Sequence, residues 1–190
     1  MTEITIIGTS EHHIRMGDYQ ALQRKVRVLL AKEPFCLRRI AKKDLDIFCE
    51  AFIHDSFSNE MDSDSRPKAV RSYERLEFLG DSIVEFLACE YIYSNSDLQE
   101  GRMTDFKQEI VANKKISSYV KEAGIDIDGV LLLGHGHRDP KTKENIVEDN
   151  MRSDAFEALI AAIYLVHGMD MAREIVHKIL ILPALRDFQV

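Results

Sequence analysis

The chain has 190 residues, 45% of them hydrophobic and 30% charged, with a formal net charge of −7. That length supports one domain with a substantial core rather than two, and the composition is that of a globular fold. No apolar run is long enough to cross a bilayer, and the short Ile4–Ile7 patch lacks the basic lead-in of a secretory signal, so a cytoplasmic location without a membrane partner is expected. The odd set of cysteines, Cys36, Cys49 and Cys89, has no CxxC spacing. It reads as buried free thiols in a reducing compartment, not as disulfides or a zinc site. The acidic balance alone argues against a nucleic-acid binder. The charge is uneven, however: residues 1–45 hold nine Lys and Arg against five Asp and Glu. Carboxylates at a metal site would also be offset by their cation.

The pattern is helical almost throughout. Tyr19, Leu22, Val26, Leu29 and Leu30 recur at three-to-four spacing after Asp18, a candidate N-cap. A second helix is expected over about Lys43–Phe57, with Leu45, Phe48, Phe52 and Ile53 inward. A polar stretch from Asn59 to Lys68 reads as a loop. A long helix follows over about Ser72–Tyr93, then two shorter ones near Thr104–Ala112 and Lys114–Ala123. The Gly-containing segment Leu131–Lys143 reads as a loop. Another strong helix covers about Asp149–His167 and stops at Gly168. A last one starts near Asp170 and is expected to end before Pro183. Only residues 3–7 and 125–133 carry strand-like signal, so the fold class is all-α. Met16, Met103, Met151, Met169 and Met171 read as core or filler residues.

Two helices carry carboxylates in unexpected places. In ERLEFLGDS, residues 74–82, Glu74, Glu77 and Asp81 are spaced i, i+3, i+7 and fall within roughly 60° on the helix. Like charges stacked this way repel, more so when partly buried among Leu76, Phe78, Leu79 and Ile83. In SDAFEALIAAIYL, residues 153–165, Asp154 and Glu157 share one face of a nearly all-apolar helix. A buried unpaired carboxylate is expensive. Either cluster alone is simply explained by solvation or by pairing with Arg71, Arg75 or Arg152. Both together favour an all-oxygen site for a hard divalent cation, of the kind that supports metal-assisted phosphodiester hydrolysis.

ERLEFLGDS resembles the signature of the ribonuclease III family. EAFIHDSF at 50–57, EGRMTDFKQEIVANKKIS at 100–117 and SDAFEALIAAIYLVHG at 153–168 resemble, in order, its other blocks. The resemblance implies an all-helical, homodimeric RNase III-type endonuclease domain over residues 31–182. Residues 1–30 would be an N-terminal extension with the first helix and 183–190 a tail, with no double-stranded RNA-binding domain in this chain. It implies that Glu77, Asp81, Asp154 and Glu157 hold catalytic Mg²⁺, with Mn²⁺ a possible substitute. Glu74 and Glu100 would assist RNA positioning or dimer contacts at the catalytic valley, and Phe78 would plug into the partner subunit. The expected reaction is hydrolysis of double-stranded RNA to 5′-phosphate and 3′-hydroxyl ends with short 3′ overhangs, without a covalent enzyme intermediate. The family often has Gly where Ala161 stands; Ala is small enough for the same close packing.

Arg102, Lys107, Lys114 and Lys115 form a candidate RNA-contacting stripe, with an ordinary solvated face as the alternative. Arg24, Lys25, Arg27, Arg38, Arg39, Lys42 and Lys43 make a second candidate patch, although spacing does not show that they share a face. The pairs His12–His13 and His135/His137 lack a third soft ligand and read as incidental. Two other functions are weighed. A non-catalytic RNase III-like assembly subunit would usually lack one of the four carboxylates, all present here. A small-ester phosphohydrolase would usually rely on His-Asp pairs, and His54–Asp55, the only such step, stands in the resembling block.

Overall fold

A computed structural model of the chain describes residues 13–61, 71–142 and 144–188. Helix α1 (His13–Leu30) buries Leu22, Val26, Leu29 and Leu30, the stripe its spacing predicts. Gly17 and Asp18 lie inside it, so Asp18 is not its N-cap. The single helix expected over 43–57 is divided into α2 (Lys42–Glu50) and α3 (Asp55–Met61). The backbone between them is engaged elsewhere. Leu132 N–H donates to the Phe52 carbonyl at 2.8 Å, His54 N–H to the Leu132 carbonyl at 3.1 Å, and Tyr73 N–H to the Ile53 carbonyl at 2.8 Å. These long-range bonds replace helical ones, which periodicity alone cannot foresee.

Helix α4 (Glu74–Asn95) leads to α5 (Glu100–Val111) and α6 (Asn113–Glu122), divided by the extended backbone of Ala112. The strand-like segment 125–133 yields a short α7 (Ile127–Val130), whose Gly129 N–H is capped by the Asp126 carboxylate at 2.9 Å. Two isolated bridges, Ile53 with Leu132 and Arg138 with Asn145, are the only β pairing among the described residues. The strand signal at 3–7 and most of the expected 59–68 loop lie outside them. Helix α8 (Asp149–His167) ends at Gly168, whose φ of 87° suits a residue without Cβ. The last helical run does not stop before Pro183 as expected, although its first part, α9 (Met169–Val176), ends at Val176. A π turn over His177–Ile181 carries the chain into α10 (Leu182–Asp187). Pro183 sits in the first turn of α10, where a missing N–H costs little.

Helix α8 is the centre of the molecule. Ala155, Phe156 and every residue from Ala158 to Ile163 are completely buried. A helix apolar on all sides must be enclosed. Helices α4, α6, α9, α2 and α7 enclose it, α4 most extensively. Ala161 is among the buried residues, so a small side chain is accommodated there. Of the cysteines only Cys49 is buried; Cys36 and Cys89 are exposed free thiols, contrary to expectation. Their apolar sequence neighbours face inward while they face out. Among the described residues no helix is long and apolar enough to cross a membrane.

Two local features fix how α4 and α8 meet. Gly80 lies directly against α8: a Cβ built on it would fall 1.9 Å from the Glu157 carbonyl oxygen and 2.4 Å from its carbon. Only a residue without a side chain allows this approach. The second feature is Arg152, near the start of α8 and almost fully buried. Its guanidinium donates twice to the Asp128 carboxylate, at 2.6 Å each, to Ser117 Oγ at 2.7 Å and to Asp149 Oδ1 at 3.1 Å. A buried charge is tolerated when its donors are matched in this way. The network ties α6, α7 and α8 together.

Gly80→Ala is expected to destabilise the protein by about 1–3 kcal/mol or more, the range for forcing an extra group into a packed interior. Urea unfolding monitored by circular dichroism measures it; a midpoint equal to wild type would contradict the close approach.

Candidate active site

Two facing helices bring the acidic residues together. Glu77 and Asp81 stand on the α4 face flanking Gly80, and Asp154 and Glu157 on the α8 face opposite. Carboxylate oxygens of Glu77, Asp154 and Glu157 lie within 4.8 Å of one another. Glu157 is only 4% exposed. Glu77 and Asp154 are half-buried and Asp81 is exposed, outside the tight group of three.

The electrostatics are those of crowded like charges in a poorly solvated place. Burial, followed by the charges of Asp81, Asp154, Glu77 and Glu85, pushes the pKa of the Glu157 carboxyl up to about 8. Burial, then Asp154, Glu74 and Asp81, pushes that of Glu77 up to about 7. Asp154 is raised by burial, opposed by a hydrogen bond from Ser153 Oγ at 3.3 Å. The hydroxyl of Tyr73, also buried, is raised by burial and then by Asp154 and Glu77, which puts it at the margin of the cluster.

The cations that sequence proximity offered as partners are elsewhere. Arg152 serves Asp128, Asp149 and Ser117. Arg71 and Arg75 act on Glu50, whose carboxyl is raised by burial against their opposing pull. Among the described residues no cation opposes the repulsion at Glu77 or Glu157. Three convergent carboxylates, two of them with strongly raised pKa values and no counter-charge, fit a hard divalent cation, which takes oxygen ligands and would replace repulsion by attraction.

The remaining sequence candidates fall around this group. Glu74, at the start of α4, is exposed, and its charge adds to that on Glu77. Glu100 opens α5, exposed, accepting a hydrogen bond from Thr104 Oγ1 at 3.4 Å. Phe78 is 80% exposed, the most exposed of the large apolar side chains among the described residues. The basic stripe is largely engaged. Lys107 pairs with Glu85 at 3.2 Å, Lys115 pairs with Glu109, and the Arg102 guanidinium lies 4.6 Å over the Phe188 ring. Lys114 is exposed and makes no ion pair among the described residues. The histidines do not gather with soft ligands. His135 binds Glu60 at 2.8 Å, and His54 and His137 pack edge to face with ring centres 5.2 Å apart. His12 lies outside the described residues.

Sequence reasoning missed Gly80, Arg152 as an anchor, and Glu85. The signal for Glu85 was present, since it continues the α4 acid stripe one turn beyond Asp81. That for Gly80 was a glycine inside an otherwise strong helix pattern, which marks close packing.

This fold and site define an all-helical protein with a carboxylate centre suited to a hard cation, built where the buried helix α8 crosses α4. The ribonuclease-III-like family profile matches residues 44–184, and the chain belongs to that family. It is 36% identical over 146 residues to Ribonuclease 3 of Aster yellows witches'-broom phytoplasma, covering 77% of this chain and 56% of that protein. It is 32% identical over 136 residues to Ribonuclease 3 of Bifidobacterium longum, covering 71% and 52%. The chain thus spans about half the length of these relatives. In fold it is similar to the nuclease domain of ribonuclease III from Campylobacter jejuni, with a TM-score of 0.60, 23% identity, and coverage of 88% of this chain and 97% of that one.

The raised pKa values give the site a pH signature. Glu77 and Glu157 hold protons in the folded state that the unfolded chain releases near the ordinary carboxylate value of 4.5. The folded state therefore binds more protons between about 4.5 and 8, and stability without a cation falls as pH rises through that window. Added Mg²⁺ is expected to raise the melting temperature at about pH 8 and to do little near pH 5, because ligands must be deprotonated to bind. Thermal melts at the two pH values, with and without Mg²⁺, test this. Equal Mg²⁺ stabilisation at both would contradict it.

Proposed function

We propose that this chain is an endoribonuclease that hydrolyses double-stranded RNA in a Mg²⁺-dependent reaction. It leaves 5′-phosphate and 3′-hydroxyl ends with short 3′ overhangs, and it acts as a homodimer in the cytoplasm. The observation that carries the reading is the uncompensated group of Glu77, Asp154 and Glu157 at the α4–α8 crossing. Its support is membership of the ribonuclease-III-like family. Glu77, Asp154 and Glu157 would hold the cation, with Asp81 completing the set from the solvent side; Mn²⁺ could substitute. A bound divalent ion supplies charge stabilisation for phosphodiester hydrolysis.

The chain's own residues set the conditions for that chemistry. Burial of Glu157 holds its carboxylate in one place at the base of the cluster. The exposure of Asp81 and Glu74 leaves the outer side open to an RNA backbone. Glu74 and Glu100 would position RNA or contact the partner, and Lys114, with the less available Arg102, Lys107 and Lys115, would meet phosphates. A-form RNA is recognised mostly through shape, phosphates and 2′-hydroxyls, which suits a site without base-reading groups.

The dimer reading rests on α4. Phe78, Phe86, Cys89 and Tyr93 are exposed and fall within an arc of about 80° at 100° per residue. An exposed strip dominated by large apolar side chains, with Ser82 among them, marks an interaction surface. With Phe78 next to Glu77, a two-fold partner on this strip would set two acidic sites near one another.

Glu157→Gln is expected to lower Mg²⁺-dependent cutting of a long RNA duplex beyond the roughly 10–100-fold that loss of a merely supporting partner produces. Gel electrophoresis of the products, with an EDTA control, provides the readout, and wild-type rates in the variant would overturn the assignment. Phe78→Asp should dissociate the dimer in sedimentation velocity; an unchanged dimer would remove Phe78 from the interface.

A further inference from the structure

A second surface, away from the acidic cluster, carries charge of the opposite sign. Residues 24–43 contain eight Lys and Arg and a single acid, Glu33, in a chain of net charge −7. The fold gathers them. The Arg27 guanidinium donates to the Ile40 carbonyl at 3.1 Å, which sets the later half of α1 beside the 38–42 segment. Arg24 lies one turn earlier on α1, and Lys42 and Lys43 open α2.

Arg24, Arg38, Arg39, Lys42 and Lys43 are exposed or partly exposed, and none makes an ion pair among the described residues. The neighbouring acids make no ion pair with them among the described residues. Asp46 accepts hydrogen bonds from Tyr19 and Gln23, Glu33 accepts one from Cys36, and Asp44 stands in the first turn of α2. Other cations of the chain are paired: Lys107, Arg152, Arg173 and Arg186 all meet carboxylates. Self-repelling cations left without counter-charge on one face are the footprint of a polyanion site.

Helix α2, which carries Lys42 and Lys43, packs against the end of α8 remote from Asp154. Phe48 of α2 packs its ring 6.1 Å from that of His167, at the far end of α8. Glu157 lies about 15 Å back along that helix at 1.5 Å per residue.

We propose that the α1–α2 face is a second phosphate-binding surface, which holds the backbone of an RNA duplex extending beyond the acidic cluster. The proposal rests on the nuclease reading above. Phosphate contacts position a duplex without reading its sequence, and the guanidinium forks of Arg38 and Arg39 match phosphate geometry. On this account the face would raise affinity for long duplexes while leaving the chemistry at the acidic cluster unchanged.

The test compares wild type with Arg38→Gln/Arg39→Gln/Lys42→Gln/Lys43→Gln. Binding of labelled RNA is followed by fluorescence anisotropy in EDTA over a range of salt, and cutting is followed in Mg²⁺. One duplex is just long enough to be cut and the other is several times longer. The variant is expected to bind the long duplex about 10-fold or more weakly, with the slope of log affinity against log salt reduced by roughly 0.9 for each phosphate left unneutralised. It should cut the short duplex at the wild-type rate. A charge-preserving variant, Arg38→Lys/Arg39→Lys/Lys42→Arg/Lys43→Arg, should keep both affinity and salt slope. Wild-type affinity and slope in the neutralised variant, or equal losses on both duplexes, would overturn the proposal while leaving the nuclease reading intact. A wild-type protein that neither binds nor cuts duplex RNA would overturn both.

Discussion

The close approach of α4 to α8 at Gly80 is the constraint on which the rest of the structure depends. A side chain at that position would collide with the Glu157 backbone. Its absence lets two acid-bearing helix faces meet with no layer of side chains between them. Helix α8 can be apolar on all sides because α4, α6, α9, α2 and α7 enclose it, α4 most extensively, and the few polar groups it keeps are then held in fixed places. Asp154 and Glu157 are the carboxylates that face α4; Arg152 is matched by acceptors from α6, α7 and, through Asp149, α8 itself. The core and the candidate site are therefore one construction: the packing that stabilises the fold also crowds the charges.

That crowding is set apart by its burial, while several cations of the fold are matched. Arg152 is satisfied by Asp128 and Asp149, Arg173 by Glu90 and Asp170, and Arg186 by Glu122 and Asp187. Where α4 and α8 cross, carboxylates meet in a partly dry place with nothing positive to answer them among the described residues. Partly buried carboxylates left to repel one another in this way hold in reserve an attraction for an added cation. The raised pKa values of Glu77 and Glu157 are the electrostatic trace of that arrangement.

Much of this is legible in the sequence. The three-to-four apolar spacing locates α1, α4 and α8, and the spacing of Glu74, Glu77 and Asp81 places those acids on one helix face. The apolar run around Asp154 and Glu157 signals their burial. What periodicity cannot supply are effects of distant pairing. The 43–57 segment keeps helical spacing throughout, yet bonds from Leu132 and Tyr73 to residues 52 and 53 divide it. Pro183 looks like a stop, but a π turn carries the helix past it. The ion-pair partners of Lys107 and Lys115, on α4 and α5, are likewise invisible in linear spacing, so a stripe that reads as free for RNA is mostly engaged. The α1–α2 cations show the converse: spacing leaves open whether they share a face, and the bond from Arg27 to Ile40 brings α1 and the 38–42 segment together.

The most direct test of the account is whether the α4–α8 crossing binds a hard cation through these carboxylates. Electron paramagnetic resonance of Mn²⁺, titrated at about pH 8, above the value of about 7 for Glu77 and near that of about 8 for Glu157, so that the cation displaces few protons on binding, into wild type and into Asp154→Asn, reads the free ion without requiring activity or RNA. The account predicts saturable loss of the free-ion signal in wild type, competed by Mg²⁺ and largely abolished in Asp154→Asn. Identical titrations for the two proteins would show that the acidic cluster is not a cation site and would remove the basis for the proposed chemistry.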